Sequence, residues 1–304
     1  MMTKQELAVL NEEFGMISTL DIREVSGVPV IFVSTPDAHA RIALQGGQVL
    51  SWQPAGHSAV LWTSKAAVYQ TGRGVRGGVP VCWPWFGTGD GGQPAHGFVR
   101  TRMWQLRETN WLGNQLIIRL GIQDDEETRK IWNHSFDLEL QVIIGRTLVM
   151  RLVSHNTGSQ SMTLTEGLHT YFNVGDIANT EVTGLARTLY LDKLHNMDRH
   201  MQSGAVFFTG ETDRVYLDTD SICVIHDRGH DRRIGIRKSG SLSTVIWNPW
   251  RDKAAGFTDM QPDEYKQMLC VETCNAASNQ VVVDPGKQHV MEAEILVETG
   301  TTRP

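Results

Sequence analysis

The sequence predicts an all-β fold, a large sandwich of antiparallel sheets in one domain over residues 1–304, with a few short peripheral helices. Three observations predict it. Period-two and β-branched runs recur along the chain, turn residues separate them at short spacing, and no internal period, low-complexity tract or linker divides the 304 residues.

In order, residues 3–13 read as a helix and 28–34, 40–50 and 59–63 as strands. Residues 71–102 carry twelve Gly or Pro and no clear period, so they form a long structured loop, the kind of segment that tends to hold a binding site. Strand 115–122 follows. A second helix over 124–132 opens on Asp124-Asp-Glu-Glu127, which suits the positive end of a helix dipole. Further strands run over 136–155, 187–191, 221–226, 233–238, 243–247, 280–283 and 290–298.

Composition narrows the function. With 40% hydrophobic residues at this length the chain can bury a large core. A net charge of −6 and the lack of a basic tract argue against a nucleic-acid partner, because nothing matches the phosphate density of such a ligand. Small molecules are the expected ligands. No stretch is apolar over the length of a membrane span, and Met1-Met-Thr-Lys-Gln-Glu-Leu7 has no apolar leader region, so a cytoplasmic protein without membrane contact is expected. Cys82, Cys223, Cys270 and Cys274 fit that compartment as reduced, buried residues. Cys270 and Cys274 have no matching His pair, so neither a metal nor a cofactor is expected.

Three motifs mislead. Gly72-Arg-Gly74-Val-Arg-Gly77 satisfies the dinucleotide pattern G-x-G-x-x-G, but Pro80 and Pro84 follow where that fingerprint needs a helix. His226-Asp-Arg-Gly-His230 has a zinc-like spacing, but Gly229 between two strand runs makes it a solvated hairpin tip. Asn133-His-Ser135 matches a glycosylation acceptor, which has no meaning without secretion.

The informative pair is Leu164-Thr-Glu-Gly-Leu-His169-Thr-Tyr171-Phe-Asn173 and Met268-Leu-Cys-Val-Glu272. Each is an apolar run carrying a titratable group, and a His facing a carboxylate moves two protons in concert near neutral pH. A lone His in a strand is usually structural. Here Glu166, Tyr171 and Asn173 add polar neighbours that a plain core avoids, and Glu272 between apolar residues is costly to bury without a purpose.

At Arg76-Gly-Gly-Val-Pro80-Val-Cys-Trp-Pro84-Trp-Phe86-Gly and Ala95-His96-Gly-Phe98-Val-Arg100 the chain resembles the aldose 1-epimerase (galactose mutarotase) superfamily, and within it the hexose-6-phosphate mutarotase branch. Glu166-Gly-Leu-His169-Thr-Tyr171-Phe, Thr212-Asp213-Arg-Val-Tyr216, Trp247-Asn-Pro-Trp250 and Asp263-Glu-Tyr-Lys-Gln-Met-Leu-Cys-Val-Glu272 extend the match, in the family's order, over about 27–298. The resemblance implies a galactose-mutarotase-like β-supersandwich. It further implies His169 as general acid, Glu272 as general base, and Arg76, Arg100 and Asp213 as substrate-binding residues. Ala95 departs from the Gln that some members carry, which removes one polar contact.

The chemistry such a pair performs is ring opening of a cyclic hemiacetal. It requires loss of the anomeric hydroxyl proton and protonation of the ring oxygen, then rotation and reclosure. The expected activity is anomer interconversion of glucose 6-phosphate by a monomer. Arg76 and Arg100 would hold the phosphate, because guanidinium donates two parallel hydrogen bonds to it, with Arg73 or Lys266 adding charge. His96 would orient the sugar or cap the Gly97 turn. Asp213 would accept from sugar hydroxyls, or simply pair with Arg214 beside it. Trp83, Trp85, Phe86, Trp247 and Trp250 are core candidates, with one or two expected in the cleft. An epimerase of unphosphorylated aldoses, a noncatalytic carbohydrate-binding domain, and a two-carboxylate glycosidase or lyase using Asp213 beside Glu272 remain alternatives.

Overall fold

The computed structural model describes residues 2–300. The named strands pair antiparallel throughout. A nine-stranded sheet runs in the order Val206–Phe207, Thr180–Thr183, Cys223–Asp227, Arg232–Ser239, Gln288–Thr299, Leu148–Asn156, Phe136–Ile144, Gln115–Gln123, Gln105–Leu112. An eight-stranded sheet runs Asp198–Met201, Leu189–Asp192, Thr212–Tyr216, Ser243–Asn248, Met268–Asn275, Glu166–Leu168, Val81–Cys82, with Tyr171–Asn173 also on Met268–Asn275. A meander of Leu20–Val25, Val28–Ser34, Ala38–Ala43 and Gln48–Pro54 and a pair of Met162–Leu164 with Val281–Val283 complete the strands.

Burial explains the layering. Phe136–Ile144 and Leu148–Asn156 largely alternate buried and half-buried positions, so one face of their sheet packs inward. Ser243–Asn248 and Met268–Asn275 are buried at every position. One of their faces meets the nine-stranded sheet and the other lies under the loop over 71–102. Trp83 stitches the layers, its indole N–H donating to Ser154 Oγ (3.0 Å), which donates to Glu166 (3.0 Å).

Local corrections have local causes. The run 40–50 breaks into two strands, because Gly46 and Gly47 adopt positive φ, and a Cβ on Gly46 would lie 2.7 Å from the Arg100 carbonyl oxygen. The run 136–155 divides at Gly145-Arg146. Residues 59–63 form isolated bridges at Leu61 and Thr63 instead of a strand. Leu20–Val25 and Gln105–Leu112 are strands the pattern did not announce. Both expected helices form, as Lys4–Phe14 and Glu126–Ile131, each behind a capping box. A third, Trp250–Ala255, was hidden behind Pro249 and starts where Asn248 Oδ1 accepts from the Trp250 N–H (2.8 Å).

The tip at 228–230 is a 3₁₀ turn between two strands, as expected, but it is more than a solvated turn. Asp227 is fully buried and accepts from Arg232 (3.0 Å), His230 Nδ1 (2.8 Å) and the Gly175 N–H (2.9 Å), while His226 reaches Thr183 (3.0 Å).

Glu166 does not join His169. The two residues are three apart in extended chain, so they point to opposite faces. Glu166 turns into the space between the sheets, fully buried, with Ser154, Asn275 (3.3 Å) and His289 (3.1 Å). Burial alone would lower the His289 pKa, but the hydrogen bond and charge of Glu166 overcome it, and the net shift is upward from 6.5. A raised folded pKa stabilises fully below the unfolded value, and the contribution fades as pH rises through the folded one. His289→Ala should therefore lose about 1.5–3 kcal/mol at pH 6 and clearly less at pH 9, read by urea denaturation. An equal loss at both pH values would remove the charge from this account.

Candidate active site

Sheet register builds the floor of the site. Glu166, Gly167 and Leu168 pair with Asn275, Cys274 and Thr273, and Tyr171, Phe172 and Asn173 resume the same register with Cys270, Leu269 and Met268. Between them the ladder lapses at residues 169 and 170, and the unbroken count sets His169 opposite Glu272. Directly opposed side chains share one face at close range. His169 Nε2 lies 3.5 Å from Glu272 Oε1. Val245 pairs with Glu272 on the other side, and the next row on this face is Asp213, Trp247, Cys270 and Tyr171.

The loop over 71–102 forms the wall. Together these elements enclose a cleft of about 230 Å³ lined by Arg76, Phe86, His96, Arg100, His169, Tyr171, Lys193, Asp213, Trp247, Lys253 and Glu272 among others. An adjoining hollow of about 220 Å³ shares Arg76, Pro80, Arg100 and Tyr171 and adds Arg73, Thr101 and Asp259. A larger hollow of about 570 Å³ lies against the meander, with Arg23, His39 and Gln53, and its carboxylate, Asp21, pairs with Arg23.

Backbone strain holds the wall in place. His96 has φ +62° and Gly97 φ +71°, and a Cβ on Gly97 would stand 1.8 Å from the Trp83 carbonyl oxygen. His96 Nδ1 accepts from the Gly87 N–H (3.3 Å), which assigns the ring proton to Nε2. Its ring meets Phe86 (5.0 Å) and His169 (5.5 Å) edge to face, and His169 stacks on Tyr171 at 4.8 Å. Gly167, on the floor, has no room for a Cβ because Phe86 lies 2.7 Å away.

Burial dominates the electrostatics. Desolvation, reinforced by His96, Arg100 and Arg76, pushes His169 well below 6.5. Desolvation and the nearby Asp213 push Glu272 well above 4.5, against an opposing pull from Lys193. Both shifts favour the neutral forms of the imidazole and the carboxyl group. His96 is lowered to about 4, first by burial and then by Arg100 and Lys193. Glu272 Oε2, His169 Nδ1 and Asp213 Oδ1 are buried without a hydrogen-bond partner, and unpaired buried polar atoms call for a ligand.

The six expected site residues therefore come together. Arg76 is held by Asp259 (3.0 Å) and lies 4.3 Å from the Phe257 ring centroid. Asp213 pairs with Lys193 (3.0 Å) and not with Arg214, which sits on the opposite face over Tyr190. Arg73 joins the adjoining hollow, whereas Lys266 is exposed and paired to Asp263, apart from the cleft. Asn173 turns to the Ala59 carbonyl. Of the aromatics, Phe86 and Trp247 line the cleft and Trp83 is core. Sequence reasoning missed Lys193 and Lys253 at the cleft and Asp259 at the adjoining hollow, because each arrives through strand pairing or loop return that no local motif announces.

The aldose 1-epimerase family profile matches residues 29–295. The chain belongs to the aldose 1-epimerase family. As a member it is an epimerase, an isomerase acting on sugars. Among curated relatives of this aldose epimerase, a Salmonella typhimurium protein is 39% identical over 263 residues, covering 86% of this chain and 88% of its own. An Escherichia coli protein is 37% identical over 276 residues, 90% and 92%. Both carry the name "Putative glucose-6-phosphate 1-epimerase". A crystal structure of a "putative mutarotase" from Salmonella typhimurium superimposes with TM-score 0.88 at 37% identity, covering 92% of this chain and 94% of that one. A galactose mutarotase-like protein from Clostridium acetobutylicum, 17% identical with TM-score 0.74 over 92% and 98%, shares the fold.

Two glycines of the wall test how the epimerase holds its site. Gly97→Ala forces a Cβ into the Trp83 carbonyl at positive φ and should cost at least about 2 kcal/mol. Gly74→Ala, in the same loop with open space and ordinary φ, should stay within about 0.5 kcal/mol. Urea denaturation checks both, and equal effects would contradict the geometry.

Proposed function

We propose that this epimerase interconverts the α and β anomers of a hexose 6-phosphate, glucose 6-phosphate first, by general acid/base ring opening. The observation that carries the proposal is a buried Glu272 facing a half-buried His169, opposed by register, beside a pocket walled by arginines. In this reading Glu272 takes the anomeric hydroxyl proton, the bond from the anomeric carbon to the ring oxygen breaks, and His169 protonates that oxygen. Rotation about the bond between the first two carbons exposes the other aldehyde face. The ring hydroxyl then attacks, returning its proton to His169 while Glu272 protonates the new anomeric oxygen. No atom is gained or lost.

The shifts suit these roles. A raised pKa makes ionised Glu272 a stronger base, and a lowered one makes protonated His169 a stronger acid. Sugar hydroxyls donating to the vacant Glu272 Oε2 would stabilise the carboxylate and draw its proton across 3.5 Å to His169. Asp213 and His96 Nε2 would accept from and donate to other hydroxyls, and Trp247 would pack on an apolar sugar face.

The phosphate assignment rests on Arg100 and Arg76. Arg76 is already neutralised by Asp259, whereas Arg100 makes no ion pair among the described residues and borders both hollows. The names of the relatives support the same substrate.

Anomer-exchange NMR on glucose 6-phosphate should show exchange well above the uncatalysed rate in chelator-treated protein. His169→Asn and Glu272→Gln should each lower turnover by roughly 10²-fold or more. Wild-type turnover in a folded variant would remove that residue from the mechanism. Arg100→Ala and Arg76→Ala should raise KM for glucose 6-phosphate about tenfold to hundredfold, with little change on free glucose. Unchanged binding in both would move the phosphate elsewhere.

A further inference from the structure

Glu272 and Cys270 are two apart on one strand, so their side chains share the face that His169 also occupies. One ligand atom from each of His169, Cys270 and Glu272 lies within 4.8 Å of the others. The mechanism above gives Cys270 no task. It is fully buried beneath the cleft, beside Tyr171 and Trp247 in the strand ladder. Glu272, 1% exposed at its side chain, keeps Oε2 unpartnered, and His169 keeps Nδ1 unpartnered.

We propose that the cleft binds a thiophilic divalent cation, of which Zn²⁺ is the probe, through His169, Cys270 and Glu272, and that the bound ion blocks turnover. Imidazole, thiolate and carboxylate are the three donor types that zinc takes, and three protein ligands leave a fourth position open to the cleft. Tetrahedral ligation at about 2.0–2.3 Å sets donors roughly 3.3–3.8 Å apart. The His169–Glu272 separation of 3.5 Å already falls there, and Cys270 needs to close by about 1 Å. Charge favours the ion as well. Burial penalises a carboxylate or a thiolate alone, but one dication balances both and leaves the dry site neutral. On binding, the Cys270 S–H proton and the proton shared by Glu272 and His169 both leave to solvent, and metal–sulfur and metal–oxygen bonds replace them. Mg²⁺ prefers oxygen donors and octahedral geometry, so it is not expected to compete.

Binding of the ion does not depend on which sugar is used, while the block on turnover rests on the roles proposed for His169 and Glu272. Co²⁺ added to the intact protein should therefore give a sulfur-to-cobalt charge-transfer band, displaced by Zn²⁺ and not by Mg²⁺. Cys270→Ala should abolish that band, keep its activity, and need at least about 100-fold more Zn²⁺ for half-inhibition, since even an outer partner of a ligand is worth about 10–100-fold. Cys274→Ala should behave like the parent. A cobalt spectrum without the sulfur band overturns the site, even where the alanine variant fails to fold. A band without inhibition keeps the site and overturns the block, and equal zinc inhibition of parent and Cys270→Ala overturns the role of the thiol.

Discussion

The antiparallel register between the stretch ending in Asn173 and strand Met268–Asn275 is the constraint on which the rest of the structure depends. It sets His169 against Glu272, two residues that no local contact along the chain brings together. Because strand side chains alternate, a slip of one residue would send Glu272 into the space between the sheets. That slip is opposed at several points. Glu166 is bonded to Ser154, Asn275 and His289 on the inner face, and Gly167 fits under Phe86 on the outer one. The chemistry on one face is thus held by polar packing on the other.

A second consequence of the same placement is dryness. The sheet floor and the Gly-rich wall shield the acid and the base from bulk water, and burial is the largest contributor to both pKa shifts. The cations stand around the pair, with Arg76 and Lys193 tied to Asp259 and Asp213 and Arg100 left without a carboxylate among the described residues. An anion bound by Arg100 would be kept at the mouth while the neutral part of a sugar occupied the floor. The division suits a ligand with one charged end and one uncharged reacting centre.

Much of this was legible in the sequence, and for identifiable reasons. Period-two runs exposed most strands of the nine-stranded sheet, the apolar runs 164–173 and 268–272 marked part of the eight-stranded one, and the concentration of Gly and Pro over 71–102 marked the wall. His169, Glu272, Arg76, His96, Arg100 and Asp213 were all found by motif, and the structure brings all six to one cleft. What stayed hidden depends on pairing partners distant in sequence. Asp213 beside Arg214 suggested a neighbouring ion pair, but adjacent strand residues face opposite ways and Lys193 arrives from another strand end. Of the polar cluster expected around His169 only Tyr171 is there, with Glu166 on the opposite face and Asn173 turned to the Ala59 carbonyl. Cys270 is buried in the core as its apolar run suggested, and what the chain did not announce is that donor atoms of His169 and Glu272 lie beside it.

The central claim is that desolvation leaves His169 and Glu272 sharing a single proton, with the imidazole neutral at rest. Nitrogen-15 NMR of the His169 ring, titrated in the sugar-free protein, tests this most directly. The account predicts a neutral ring at pH 6.5, with protonation only well below that value, because burial and the charges of Arg100 and Arg76 oppose the imidazolium. An imidazolium that persists at pH 6.5 or above would show that Glu272 holds its charge beside a protonated partner, and would contradict the account.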